Sequence, residues 1–230
     1  MTGPEQAGGY WLWRDRRGDV EVRFAGRGEG DGREERAAVL AALEPSPPAL
    51  AWARQVHSAR ALPARAGACG EGDALYTEEA GLALSVITAD CVPVLLAGRR
   101  SLAAVHAGWR GIVASILEPT LAALSEPPAE LTAWIGPAIG PCCYEVGHEV
   151  AEQVIAASHT GIMLPGRGER PHLDLVAAVR WQLERLGVRE VRTVTACTRC
   201  KEEQLWSYRR QGQGAGRNVA FIWRRLDGQH

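Results

Sequence analysis

LALSVITADCVPVLLAGRRSLAAVHAGWRG, residues 82–111, is the stretch that decides the fold. Leu82–Thr88, Val92–Ala97 and Leu102–His106 are three short apolar runs with β-branched residues, too short for core helices and separated by turn residues. They read as buried strands. Asp90 and Pro93 interrupt the apolar run, and neither would be chosen for packing alone.

Working outward, Tyr10–Trp13 and Val20–Phe24 alternate apolar and polar residues as half-buried strands do. Leu131–Ile135, Val191–Ala196 and Val219–Arg224 read as further strands. A helix is expected over Arg33–Leu43 and another over Val150–Ala157. Ile112, Ile116, Leu117, Leu121 and Leu124 fall at helical spacing, with Pro119 expected to kink or restart that helix. Val176, Val179, Leu183 and Leu186 share one helical face between an N-cap at Asp174 and a stop at Gly187. Strands and helices mix without strict βαβ alternation, which predicts an α+β or mixed α/β domain with helices outside a sheet core. Gly- and charge-rich loops at 26–35, 165–171 and 211–217 are too short to separate domains, so residues 1–230 are read as one domain.

Composition narrows the function. The chain has 230 residues, 46% apolar, with 26 basic against 27 acidic residues. That near-balance provides no field for nucleic acid or an anionic membrane. Basic charge is almost entirely arginine, Lys201 being the one lysine, a bias that base composition or heat adaptation explains as well as function does. No apolar run approaches the ~20 residues of a membrane helix. The opening MTGPEQAGGYWLWRD lacks a positive segment followed by an apolar one, so no secretory signal is expected. Six cysteines in a chain of this length, two of them adjacent, predict reduced thiols and a cytoplasmic setting.

Three segments carry residues that packing does not demand: RQVHS with His57, TADCVPV with Asp90 and Cys91, and AVHAGWRG with His106. Two imidazoles and a thiolate suit zinc. The three lie far apart in sequence, unlike a zinc finger, which fits a catalytic site assembled from strand ends with a fourth position open. Taken singly, each has an ordinary alternative: a hydrogen-bonded histidine at a strand end, or a cysteine acting as a small buried hydrophobe. Asp90 beside Cys91 shifts the balance, because a carboxylate in an apolar run needs a partner or a ligand.

The ordered motifs QVH (55–57), GDALYT (72–77), TADCVPVLL (88–96), AAVHAGWRG (103–111), WIGPAIGPCCYEVG (134–147), CTRCKEE (197–203) and SYRRQGQGAGR (207–217) resemble one family. It is the laccase-domain family, also called multicopper polyphenol oxidase or peptidoglycan-editing-factor proteins, with members described as purine nucleoside phosphorylases having adenosine deaminase activity. The resemblance runs from about Gln55 to the C-terminus. It implies a sandwich of two sheets covered by helices, four layers in the order α/β/β/α, and zinc held by His57, Cys91 and His106. Ser58 stands where the family usually has glycine.

The resemblance implies phosphorolysis of purine nucleosides, with phosphate as co-substrate, and deamination of adenosine. Zinc so held brings the pKa of a bound water to roughly 7. Asp90 is the candidate to move protons, or to orient a ligand histidine. Arg110 and Arg210, with Arg209 beside it, are the candidates for phosphate. The partners are therefore small molecules, with no nucleic acid or membrane, and a monomer is expected. Two rival chemistries follow from the same residues: Cys91 as a nucleophile with His106 as base, editing peptidoglycan precursors, or a copper polyphenol oxidase. The second needs many histidines, and this chain has six with no His-x-His pair. A closed structural zinc domain without activity is the non-enzymatic reading. Cys197-Thr-Arg-Cys200 is a C-x-x-C without a second such pair. The adjacency of Cys142 and Cys143 makes joint ligation awkward, so these four are expected to be structural thiols near the pocket.

Overall fold

The strands cluster into two large sheets because so many of them are apolar on both faces. The computed structural model describes residues 1–28, 30, 36–166 and 168–226. In chain order the elements begin with β1 (Thr2–Ala7), β2 (Tyr10–Arg17), β3 (Val20–Ala25), α1 (Arg36–Ala41), β4 (Ala49–Arg54), β5 (Ala61–Pro63) and β6 (Gly67–Glu71). They continue with β7 (Ala74–Thr77), β8 (Leu82–Thr88), β9 (Val92–Ala97), β10 (Leu102–Ala107), α2 (Trp109–Val113), α3 (Leu117–Ala122) and β11 (Thr132–Ile135). The chain closes with α4 (His148–Ala156), β12 (Met163–Leu164), β13 (His172–Leu173), α5 (Leu175–Arg185), β14 (Glu190–Thr193), α6 (Tyr208–Gln211) and β15 (Asn218–Arg224).

One sheet has the order β1-β2-β3-β15-β8-β4-β6 and the other β14-β11-β9-β10-β7-β5. Both are mixed: β4 runs parallel to β8 and β6, and β11 parallel to β14, among antiparallel neighbours. Between the sheets lies a core that includes Val22, Leu84, Leu95, Leu102 and Trp134. The outer face of the second sheet is covered by α2 to α5 through Ile112, Leu117, Val154 and Val179. The outer face of the first is covered by α1 and the turn after it, where Val39, Leu40 and Leu43 meet Phe221 and Trp223. The four layers are thus α/β/β/α.

The quoted stretch behaves as its composition demands. Every residue of β9 and β10 is buried, and the two pair as an antiparallel hairpin from Ala97↔Leu102 to Ala107↔Val92. Pro93 is tolerated in an interior strand because it lies at the strand's start, beyond the last residue pair with β11, Ile135↔Val94.

Three expectations need correction. The helical pattern from Ile112 to Leu124 does break, but at Ser115, whose φ of 54° is left-handed, and not at Pro119. Pro119 sits in the first turn of α3, where its missing N–H costs nothing. The strand expected over Val191–Ala196 is shifted to Glu190–Thr193. Of the helix expected over Arg33–Leu43, residues 33–35 lie outside the described ones, and the helix ends at Ala41. Asp174 caps α5 as expected, its carboxylate accepting from the Ala177 N–H at 2.9 Å. Among the described residues no helix is long and apolar enough to cross a membrane.

Candidate metal centre

The links between the two sheets carry the chemistry. Ala89–Cys91 connects β8 of the first sheet to β9 of the second, and Gly72–Asp73 connects β6 to β7 in the same sense. His57 follows β4 of the first sheet, while His106 lies near the end of β10 in the second. All four residues therefore meet where both sheets run out.

One ligand atom from each of His57, Cys91 and His106 lies within 4.8 Å of the others. The Sγ of Cys91 is 3.8 Å from Nε2 of His57, and the two imidazoles sit edge to face at 4.8 Å between centroids. Gly108 makes this approach possible. A Cβ there would lie 2.9 Å from Cδ2 of His57 and 3.1 Å from Cys91 Sγ.

His106 is held by Asp73 of the GDALYT motif, a residue whose role has no sequence signal of its own. Asp73 Oδ1 is 2.8 Å from His106 Nδ1 and also accepts the His57 N–H at 3.0 Å. Asp73 Oδ2 accepts from the N–H groups of Val56 and Ser58 and from the Ser58 hydroxyl. The Ser58 side chain thus adds a hydroxyl donor to this carboxylate. Burial opposes ionisation of Asp73, yet His106 and Ser58 hold its carboxyl well below the ordinary range. With Nδ1 committed to Asp73, His106 turns Nε2 toward Cys91, the arrangement that fixes the tautomer of a metal-binding imidazole.

The thiol and imidazole also tune each other. Burial opposes the Cys91 thiolate, but the His106 and His57 imidazoles beside it bring its pKa down to about 6. Burial likewise disfavours a charged His106, but Cys91 and Asp73 raise it to about 9.

The group opens into a cavity of about 510 Å³. Its walls include the rings of Trp109, Tyr144 and Tyr208, the aliphatic Ile87, and the cations Arg209 and Arg217. Asp90 is the acid among the lining residues. Its backbone is left-handed at φ 99°. Its Oδ1 accepts from the Thr198 hydroxyl at 2.6 Å and its Oδ2 from the Arg209 N–H at 2.7 Å. Of the two roles expected of Asp90, orienting a candidate ligand histidine has no hydrogen bond behind it; the carboxylate bonded to a histidine ring is that of Asp73.

The two arginines expected at phosphate are placed differently. Arg110 stacks on the Trp109 ring, 4.3 Å from its centroid, and is exposed outside the lining residues. Arg210 turns away, its guanidinium donating to the carbonyls of Thr198, Arg199 and Leu205. Arg209 is the neighbour that reaches the cavity, over the Tyr144 ring and tied to the Glu145 carbonyl. Tyr144, Tyr208 and Arg217 were quoted within motifs, but nothing in their local sequence separates a cavity wall from an ordinary loop.

A two-sheet sandwich with this group at its mouth is a recognisable class. Residues 28–225 match the family described as multi-copper polyphenol oxidoreductase laccase. The chain belongs to that family. It is similar to the Escherichia coli (strain K12) protein named purine nucleoside phosphorylase YfiH, 37% identical over 177 residues, covering 75% of this chain and 72% of the relative. A purine nucleoside phosphorylase of Deinococcus radiodurans is 39% identical over 194 residues, covering 82% and 76%. Among solved structures, Neisseria meningitidis protein NMB0706 aligns with a TM-score of 0.84 at 29% identity, covering 95% of this chain and all of that one.

Proposed function

We propose that this chain is a zinc-dependent enzyme of purine nucleoside metabolism. It cleaves adenosine-, inosine- and guanosine-type nucleosides, and methylthioadenosine, with phosphate, and it deaminates adenosine. One observation carries the reading. A thiol and two imidazoles converge on a cavity that combines aromatic rings with arginines, in a chain whose relatives are named purine nucleoside phosphorylase.

The donor set fits zinc. One sulfur and two imidazole nitrogens, with a carboxylate behind one ring, leave a coordination position free for a reactant. It does not fit several coppers, since among the described residues the other candidate group consists of cysteines alone. Held by His57, Cys91 and His106, zinc would supply Lewis-acid chemistry to the cavity.

The chain's own residues supply the rest. The volume lies within the range of small-molecule pockets, and Trp109, Tyr144 and Tyr208 offer faces on which a purine can stack. Arg209 and Arg217 place positive charge on the wall, suited to the phosphate oxygens. In phosphorolysis a phosphate oxygen bonds to C1′ as the C1′–N9 bond breaks, and the purine leaves with the electron pair and takes up a proton. In deamination water adds at C6 and ammonia departs with a proton from that water. Asp90, as the carboxylate of the cavity wall, is the group that relays these protons.

The test is a nucleoside screen on protein of measured zinc content. Inosine should yield hypoxanthine and ribose 1-phosphate only with phosphate present, and adenosine should yield inosine without it. Fully zinc-loaded protein that turns over no purine nucleoside would overturn the reading. Arg209→Ala should raise the KM for phosphate about tenfold or more while deamination persists, since a lost charge-assisted contact is worth about 1.5–3 kcal/mol.

A second reading draws on the same pair. A thiol brought down to about 6 beside an imidazole raised to about 9 is a nucleophile with its base, as a cysteine hydrolase of peptidoglycan precursors would need. His57 on the other flank of the sulfur favours the metal. Iodoacetamide should modify Cys91 in chelated protein and spare it once zinc is restored. A trapped acyl-enzyme would favour the hydrolase.

A further inference from the structure

A second group of metal-ligating side chains lies outside the cavity. We propose that Cys142, Cys143, Cys197 and Cys200 form a closed zinc site that fastens the loop carrying Tyr144 of the cavity wall to the loop that braces Asp90.

The four Sγ atoms lie within 4.8 Å of one another. Cys200 Sγ is 3.6 Å from Cys142 Sγ and 3.4 Å from Cys143 Sγ. A tetrahedral zinc with Zn–S bonds near 2.3 Å sets its sulfurs about 3.8 Å apart, so the group is spaced for one ion. It leaves no room for a cluster with bridging sulfides. The adjacency of Cys142 and Cys143 makes joint ligation awkward on sequence grounds. The turn that begins at Gly140, whose carbonyl accepts the N–H groups of both Cys143 and Tyr144, instead brings both sulfurs to Cys200.

The backbone is arranged for a thiolate. Cys197 Sγ accepts the Gly140 N–H at 3.3 Å, a main-chain donor from the opposite loop. A main-chain donor on this sulfur favours negative charge there, as a metal-bound thiolate requires. Gly140 allows the approach, since a Cβ would lie 3.3 Å from both Cys142 Sγ and Cys197 Cβ. The two loops are already joined, by a bridge between Ala138 and Cys197 and by the Thr198 N–H donating to the Ala138 carbonyl. Arg210 buttresses the same loop through the Thr198 and Arg199 carbonyls, and its charge offsets that of a tetrathiolate.

The position explains the use. Thr198, between the two cysteines of the C-x-x-C, donates its hydroxyl to Asp90, and Tyr144, next to Cys143, lines the cavity. Zinc binding here releases the thiol protons to solvent and leaves no ligand position open, which makes the ion structural.

The test removes the first site and counts metal. The full chain carrying His57→Ala and Cys91→Ala, purified with reductant and zinc, should hold about one equivalent of tightly bound zinc. Loaded instead with cobalt(II), it should show the sulfur-to-cobalt charge-transfer bands and intense visible bands of a tetrahedral thiolate site. Adding Cys200→Ser should weaken those bands, and chelation should lower the melting temperature of the double variant. A double variant that folds yet retains no metal, or whose cobalt spectrum is octahedral, would overturn the proposal. Neither outcome bears on the nucleoside chemistry, which is assayed on the unaltered chain.

Discussion

His57 adopts a left-handed backbone, φ 60°, which side chains other than glycine seldom accept. Asp73 compensates by gathering the N–H groups of Val56, His57 and Ser58 on its two oxygens. One buried carboxylate therefore sets the backbone of one proposed ligand and the ring of another. Asp73→Asn should lower zinc affinity about 10–100-fold, read by competition with a chromophoric chelator. An unchanged affinity would leave Asp73 no part in the site. Zinc must also displace the proton that His106 holds up to about pH 9. Affinity should therefore rise about tenfold per pH unit between roughly pH 6 and 9, and more steeply below 6, where Cys91 is protonated as well. His57, Cys91 and His106 each had an ordinary alternative when read singly; the ordered motifs around them and Asp90 beside Cys91 made the group, which the fold brings together, legible in the sequence. Asp73 was not, because a carboxylate after a glycine reads equally as a turn. Arg209 and Arg210 could not be told apart, because adjacent arginines in SYRR give no sign of which one faces the cavity.

At the scale of elements, strongly patterned segments were readable and weakly patterned ones were not. Strands β8, β9 and β10 announce themselves through continuous apolar runs. The short strands β5 and β6, ALP and GACGE, carry no alternation and owe their geometry to their neighbours β7 and β4. The break after α2 was placed at Pro119 because proline is the visible breaker, yet the chain turns at Ser115 to bury Ile116 and Leu117. For α5 the local code was sufficient. Removing the cap with Asp174→Ala should cost about 1 kcal/mol, seen as a lower denaturant midpoint with unchanged slope. A neutral result would mean that packing of Val179 and Leu183 alone sets this end of the helix.

Across the whole molecule, Asp15 of β2 clamps one sheet to the other. Its Oδ2 accepts from the Trp134 indole and from Arg192, each at 2.8 Å. Trp134 is fully buried in the intersheet core, so Trp134→Ala should cost about 3–5 kcal/mol. Burial opposes the Asp15 charge, but the hydrogen bonds from Arg192 and Trp134 hold its pKa below the ordinary carboxylate range. The stability it adds is complete above the unfolded pKa of about 4 and is lost as pH falls through the folded value. Asp15→Asn should therefore flatten the acid limb of stability measured by urea unfolding. Such long-range pairings, β15 between β3 and β8 or the four cysteines across two loops, could not be read locally, since nothing near either partner in sequence names the other. The most direct test of the proposed metal centre is anomalous diffraction at the zinc edge from zinc-loaded crystals. A peak about 2.0–2.3 Å from His57 Nε2, Cys91 Sγ and His106 Nε2 is the predicted result, and a fully loaded protein with no density among those three atoms would contradict it.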